Sequence, residues 1–273
     1  DAGEKSRFIT QLVLDKQVNH QLKINNYFAK TPETINELMQ IEKSELLQKR
    51  LHEIATVKGF SPSTIGNYMR NPIQFYMQRV LGIREMEEVE ENIALNTLGT
   101  IIHGSLELLY MPYVGKKLTI EMVDEMLRKS DAEIRNQFNI NYSETAEKQG
   151  KNLIAYEVAK RNVYHFLSLE KEQLTQGDDV TVIALEQQLN TVIEDPRLPY
   201  PIKLAGIADR VEIRNGILRI IDYKTGKVEL NQVQINAIEG ITTDLKFEKA
   251  IQLLIYGLMY KSETELPIQA GIY

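Results

Sequence analysis

Hydrophobic positions along the chain change their period near residue 179, where a helical region gives way to a strand-bearing one. Thr31-Pro32 reads as an N-cap with proline in the first turn. It predicts a helix to about Thr56, with Ile35, Leu38, Met39, Leu46, Leu47, Leu51 and Ile54 on one face and Gly59 closing it. Ser61-Pro62-Ser63 and Asn71-Pro72 open two more helices in the same way. Leu98, Ile101, Ile102, Leu106 and Leu109 then mark a helix from an N-cap at Thr97 to about Tyr110. Two longer amphipathic helices follow, Thr119 to about Phe138 and Lys151 to about Leu174, with a polar loop from Asn139 to Gly150 between them. Gly177 ends the second. Residues 1–30 carry no start signal, and Arg84 to Glu91 is an acidic run that predicts a solvated loop. Tyr68, Phe75 and Tyr76 read as core packing.

Beyond residue 179 the text becomes β-rich. Asp179 to Ile193 predicts a strand, and Asp195-Pro196 with Leu198-Pro199 marks a turn-rich connection. Ala205–Ile213 and Ile217–Tyr223 flank Asn215-Gly216, the dipeptide of a tight hairpin. Val228 to Lys246 is polar and irregular, Phe247 to Lys261 returns to helix, and Pro267 to Tyr273 is a further strand. The expected class is α/β (α+β): a central mixed sheet from about 179–223 and 267–273, flanked by helices, with a helical N-terminal part. Residues 1–60 are taken as a helical lead-in or a linker from an upstream domain. Residues 61–273 form the main domain, helical over about 61–175 and sheet-bearing over about 179–273.

Composition narrows the classes. With 43% hydrophobic residues the chain suits an ordinary globular protein, and it holds no run of eighteen apolar residues, so no membrane span is expected. DAGEKSRFIT lacks the basic and apolar regions of a secretory signal. The absence of cysteine excludes disulfides and thiolate metal sites, and fits a cytoplasmic location. A net charge of −6 argues against a generic nucleic-acid coat protein, though not against a locally acidic site. No phosphate loop of the G-x-x-x-x-G-K-[ST] type and no G-x-G-x-x-G occurs.

The candidate chemistry lies in and around the hairpin. Pairing about Asn215-Gly216 sets Asp209 opposite the region of Asp222, and Lys224 leaves the strand on the same face as Asp222. Two carboxylates and an amine at a strand end suit a hard divalent cation with a water-orienting lysine. His103, four residues after Gly99, lies on a mostly apolar helix, where a lone histidine is more often a core residue than a ligand. Gln252 and Tyr256 share a helix face at i, i+4. Glu186 stays open between a metal ligand, a group behind one, and a charge on an exposed strand face.

Gly206-Ile207-Ala208-Asp209-Arg210, Asp222-Tyr223-Lys224-Thr225-Gly226, Gly99 to His103, and Gln252 to Tyr256 fall in the order of known motifs. Together they resemble the PD-(D/E)xK nuclease superfamily, in particular the branch of the RecB and AddB nuclease domains and Cas4, over residues 61–273. SPSTIGNYMRNPIQFYMQRVLGI resembles the segment that introduces that branch, with Asn71 where many relatives have a cysteine. The resemblance implies a restriction-endonuclease-like core and metal-dependent cleavage of DNA by an exonuclease, in a helicase–nuclease of DNA repair or recombination. It implies Mg²⁺ or Mn²⁺ held by Asp209, Asp222, His103 and the main-chain carbonyl of Tyr223. Lys224 would orient or deprotonate water, and Gln252 and Tyr256 would position the strand. The implied partners are DNA and a helicase domain or subunit, and no iron–sulfur cluster is expected without cysteine. The alternatives are a catalytically silent module that guides DNA and a stand-alone Cas4-like exonuclease.

Overall fold

The computed structural model of the chain describes residues 6–18, 21–23, 25, 40–83, 93–142, 150–235, 237–261 and 264–273. Two compact units divide it, Asp1–Ile41 and Glu42–Tyr273. The first contains helix α1 (Arg7–Leu14).

Helix α2 (Glu45–Glu53) starts where Ser44 accepts a hydrogen bond from the Leu47 N–H, and it continues into a single π turn, Ile54–Lys58. Gly59, at φ +82°, ends it. The helix expected from Thr31 is therefore interrupted, because residues 40–44 are not helical; its proposed start lies outside the described residues. Ser61 caps α3 (Pro62–Arg70). Asn71 caps α4 (Pro72–Phe75) by accepting from the N–H groups of Ile73 and Gln74, both at 3.1 Å, and a π turn follows over Tyr76–Val80. Phe75 is buried here, but Tyr68 is 54% exposed and packs only edge-on against Phe75, so it does not join the core as expected. The acidic run at 84–91 lies outside the described residues.

Helix α5 (Leu95–Tyr110) begins three residues before the expected start, after an extended Ala94 rather than at a Thr97 cap. Helices α6 (Ile120–Asn141) and α7 (Gly150–Thr175) follow, α6 running three residues into the loop expected from Asn139. Gly177 at φ +102° stops the chain after α7. Ile101, Val123, Ile134, Phe138, Val163 and Leu167 are fully buried among these three helices. Truncating one such residue to alanine typically costs about 2–5 kcal/mol.

Strands β1 (Val180–Ile193), β2 (Ile202–Arg214), β3 (Ile217–Asp222) and β4 (Ile268–Ile272) form one sheet in that order. The first two pairings are antiparallel and the β3–β4 pairing is parallel, which makes the expected mixed sheet. Helix α8 (Glu248–Tyr260) supplies the crossover. Side chains alternate across β3: Ile221 and the following Tyr223 join the α5–α7 core, while Leu218 and Ile220 join the core against α8. The connection before α8 is less irregular than its sequence suggests. It carries short 3₁₀ turns at Leu230–Gln232 and Leu245–Phe247 and buries Ile241.

Candidate metal centre

Strand register decides which carboxylates meet. Arg210 pairs with Ile221, so one step further on the hairpin Asp209 faces Asp222. Leu185 pairs with Arg210 and Gln187 with Ala208, so Glu186 lies across β1–β2 from Asp209. Three acids thus stand on three adjacent strands. Glu186 holds φ +45° inside its strand, a left-handed conformation that a non-glycine residue adopts at a cost of roughly 1–2 kcal/mol. The end of β3 is held by β4: the Tyr273 N–H donates to the Asp222 carbonyl at 3.1 Å, and the Lys224 N–H donates to the Tyr273 carbonyl at 3.0 Å. Gly206 sits at a close approach, since a Cβ there would lie 3.0 Å from Cδ of Pro62 and 3.3 Å from Cε of Met259.

His103 comes from α5. Ligand atoms of His103, Glu186 and Asp209 all lie within 4.8 Å of one another, with Nδ1 of His103 3.6 Å from Oδ2 of Asp209. That oxygen also accepts the Tyr223 N–H at 2.6 Å, and the Tyr223 ring meets the His103 ring edge-on with centroids 5.6 Å apart. Asp222 stands beside this trio and is 4% exposed. Its Oδ2 lies 2.6 Å from Nζ of Lys224, and its Oδ1 accepts from Nε2 of Gln252 at 2.9 Å. Tyr256 donates to the Ile207 carbonyl at 2.8 Å. The polar ends of Gln252 and Tyr256 are therefore turned onto Asp222 and the β2 backbone, and neither is bonded to Lys224.

The electrostatics are those of crowded acids. Burial pushes the Asp222 carboxyl above its usual range and Asp209 adds to the effect, against the pull of Lys224. Glu186 is pushed up by burial, then by Asp209 and Glu107. Burial opposes charging of His103, but Asp209, through hydrogen bonding and charge, together with Glu186 and Asp222, outweighs it and raises the imidazole pKa. The two acids are thus shifted mainly by burial, and the imidazole by the acids around it. Oδ2 of Asp222, despite the nearby ammonium, is buried without an aligned hydrogen bond. Hard oxygens with one imidazole fit Mg²⁺ or Mn²⁺, the imidazole suiting Mn²⁺ better.

Two contributors were missed in the sequence. Glu107 is four residues from His103 on α5, a spacing that would have placed it toward the same site. The second is a buried ionic network behind the site. Arg210, fully buried, pairs with Glu170 at 2.7 Å and with Glu212; Arg214 pairs with Glu170 at 2.5 Å, Glu212 at 2.9 Å and Asp178 at 2.8 Å. The alternation of Arg210, Glu212 and Arg214 on one face of β2 was its sequence signal.

Among the described residues no helix is long and apolar enough to cross a membrane. Residues 59–273 match the family model described as the PD-(D/E)XK nuclease superfamily. An uncharacterized protein of Rickettsia conorii (strain ATCC VR-613 / Malish 7) is 26% identical over 191 residues, 65% of this chain and 20% of that protein. One of Rickettsia felis (strain ATCC VR-1525 / URRWXCal2) is 24% identical over 222 residues, covering 78% of the chain and 23% of the relative. One of Rickettsia typhi (strain ATCC VR-144 / Wilmington) is 26% identical over 223 residues, covering 79% and 24%. The chain spans about a fifth to a quarter of the length of these relatives.

Proposed function

The chain belongs to the PD-(D/E)XK nuclease superfamily, and from that premise we propose that it hydrolyses phosphodiester bonds of DNA with the help of a divalent metal ion. One observation carries the reading: His103, Glu186 and Asp209 converge within 4.8 Å beside an Asp222 that is already paired with Lys224. His103, Asp209 and Asp222 are the residues to hold Mg²⁺ or Mn²⁺, with Glu186 and the main-chain carbonyl of Tyr223 completing the set. A bound divalent ion would neutralise phosphate charge and activate water. Lys224 orients the attacking water and offers its ammonium to the negative charge that develops on the phosphate. Gln252 fixes the rotamer of Asp222, and Tyr256 anchors the β2 backbone three residues before the motif's arginine. Tyr223 aligns Asp209 through its N–H and His103 through its ring.

The finer reading is an exonuclease domain of the RecB/AddB type, working beside a helicase domain or subunit in DNA repair or recombination. The length of the Rickettsia relatives, of which the matched part is about a fifth to a quarter, supports it by leaving room for other domains. The test is cleavage of end-labelled single- and double-stranded DNA by the 273-residue chain with Mg²⁺, Mn²⁺ or EDTA, beside Asp222→Ala. Metal-dependent cutting that the variant lacks is the expected result. A folded chain that neither binds metal nor cuts would overturn the reading and favour a silent DNA-guiding module.

A further inference from the structure

The site needs α5 and β2 at a fixed distance, because one carries His103 and the other Asp209. His103 and Tyr110 are seven residues apart on α5, two turns along the same face, a rise of about 10 Å. Asp209 and Arg210 are neighbours on β2 with side chains on opposite faces. At the far end of this interface the Tyr110 hydroxyl donates to Oε2 of Glu170 at 2.9 Å, and the same oxygen lies 2.7 Å from Arg210. The other oxygen of Glu170 accepts from Arg214 at 2.5 Å. The Arg210 guanidinium also lies over the Tyr110 ring, 4.5 Å from its centroid. Tyr110 and Arg210 are fully buried, and Glu170 is 3% exposed. A single carboxylate on α7 therefore ties the helix bearing one ligand to the strand bearing another.

Buried ionic groups of this kind are poor devices for stability, since apolar residues of similar volume often serve as well or better. What they add is direction: a carboxylate hydrogen-bonded to a phenol on one side and to the Arg214 guanidinium on the other, with Arg210 against it as an ion pair, tolerates little sliding of α5 along β2. We infer that Tyr110, Glu170 and Arg210 form a spacer that sets the separation of His103 and Asp209, and that Tyr110 and Glu170 are positioning residues of the metal centre. The inference rests on the reading of His103 and Asp209 as ligands.

Tyr110→Phe cuts the tie to α5 while keeping the ring. Tyr156→Phe is the control: Tyr156 is also a buried ring, and it donates to Oδ1 of Asp131 at 2.9 Å in a part-buried setting, but it joins α7 to α6 and no ligand-bearing element. Mn²⁺ binding to the 273-residue chain is titrated by electron paramagnetic resonance at a temperature where circular dichroism shows every variant folded. Contacts between the His103 and Tyr223 rings are followed by nuclear Overhauser effects in the metal-free protein. Tyr110→Phe should weaken Mn²⁺ binding several-fold and Glu170→Gln at least as much, since it releases Tyr110 and both arginines together. Both should disturb the His103–Tyr223 contact, and Tyr156→Phe should change neither. Wild-type affinity and an intact ring contact in Tyr110→Phe would overturn the inference, as would an equal loss in Tyr156→Phe. If Glu170→Gln does not fold, Tyr110→Phe decides alone. If the wild type binds no Mn²⁺, the metal reading fails, and the ring contact still decides whether the spacer positions His103.

Discussion

Lys224 holds its ammonium 2.6 Å from Oδ2 of Asp222, two residues away at the end of the same strand. On the proposed reading, Asp222 is both the partner of the lysine and a metal ligand, so a bound cation would compete with the ammonium for this carboxylate. Lys224→Ala should lower DNA cleavage by about 10²–10³-fold, the usual loss of one preorganised charge donor, with fold and Mn²⁺ binding kept. Single-turnover cleavage beside a metal titration measures both. Retained cleavage would remove the lysine from the mechanism.

Glu186 is pushed up by burial and by its acidic neighbours, so its charged form is disfavoured in the folded chain. A raised carboxyl favours folding below the unfolded pKa of about 4.3 and opposes it once pH climbs through the folded value. Without metal, Glu186→Gln should therefore raise the melting temperature at neutral pH. The same variant should bind Mn²⁺ at least about tenfold less tightly, as loss of a supporting ligand would require. A lower melting temperature in the metal-free variant would contradict the charge crowding described here.

Glu170 behaves in the opposite sense. Burial alone would raise its carboxyl, but Arg210 and Arg214 outweigh burial and hold it below the usual range. Its contribution is fully present above the unfolded value of about 4.3 and is lost as pH falls through the folded one. Urea unfolding of the wild type should weaken more steeply than that of Glu170→Gln across this acid range. Parallel curves would show that the network does not depend on this charge.

Gly206→Ala adds a methyl group 3.0 Å from Cδ of Pro62 and 3.3 Å from Cε of Met259. Overpacking of that degree costs about 1–3 kcal/mol, read as a drop in the thermal midpoint. Unchanged stability would mean that α3 can move away from β2 without loss.

Tyr256→Phe leaves the Ile207 carbonyl without its hydroxyl donor and should cost about 1–3 kcal/mol of stability. Gln252→Ala should act differently, with a smaller stability loss and weaker Mn²⁺ binding, because it releases Oδ1 of Asp222. Equal effects on metal affinity would mean that the pair works as one unit on the β2 backbone.

What could be read from the chain was whatever depends on near neighbours. Asn215-Gly216 fixes the hairpin, the hairpin fixes the register, and the register sets Asp209 opposite Asp222, so the central acids were legible. Glu186 stayed open because its role depends on a left-handed residue in a strand, and no alternation of polar and apolar positions records a φ of +45°. The partner of Gln252 depends on where α8 lands, and Glu170 is 40 residues from Arg210, so neither contact has a local signature. The start of α5 failed for a simpler reason: Thr97 is a good cap in isolation, but the helix begins three residues earlier, after an extended Ala94.

The parallel strand that grips the end of the hairpin also sets a schedule. Asp209 and Asp222 can be brought opposite each other as soon as residues 202–222 have emerged from a ribosome, because their pairing is local. The Asp222 carbonyl and the Lys224 N–H, on either side of Tyr223, are both bonded to the backbone of Tyr273, fifty-one residues downstream of Asp222. At ordinary rates of synthesis that stretch takes roughly 3 to 10 seconds to translate. The last two backbone bonds that frame Tyr223 thus form only after β4 has been made.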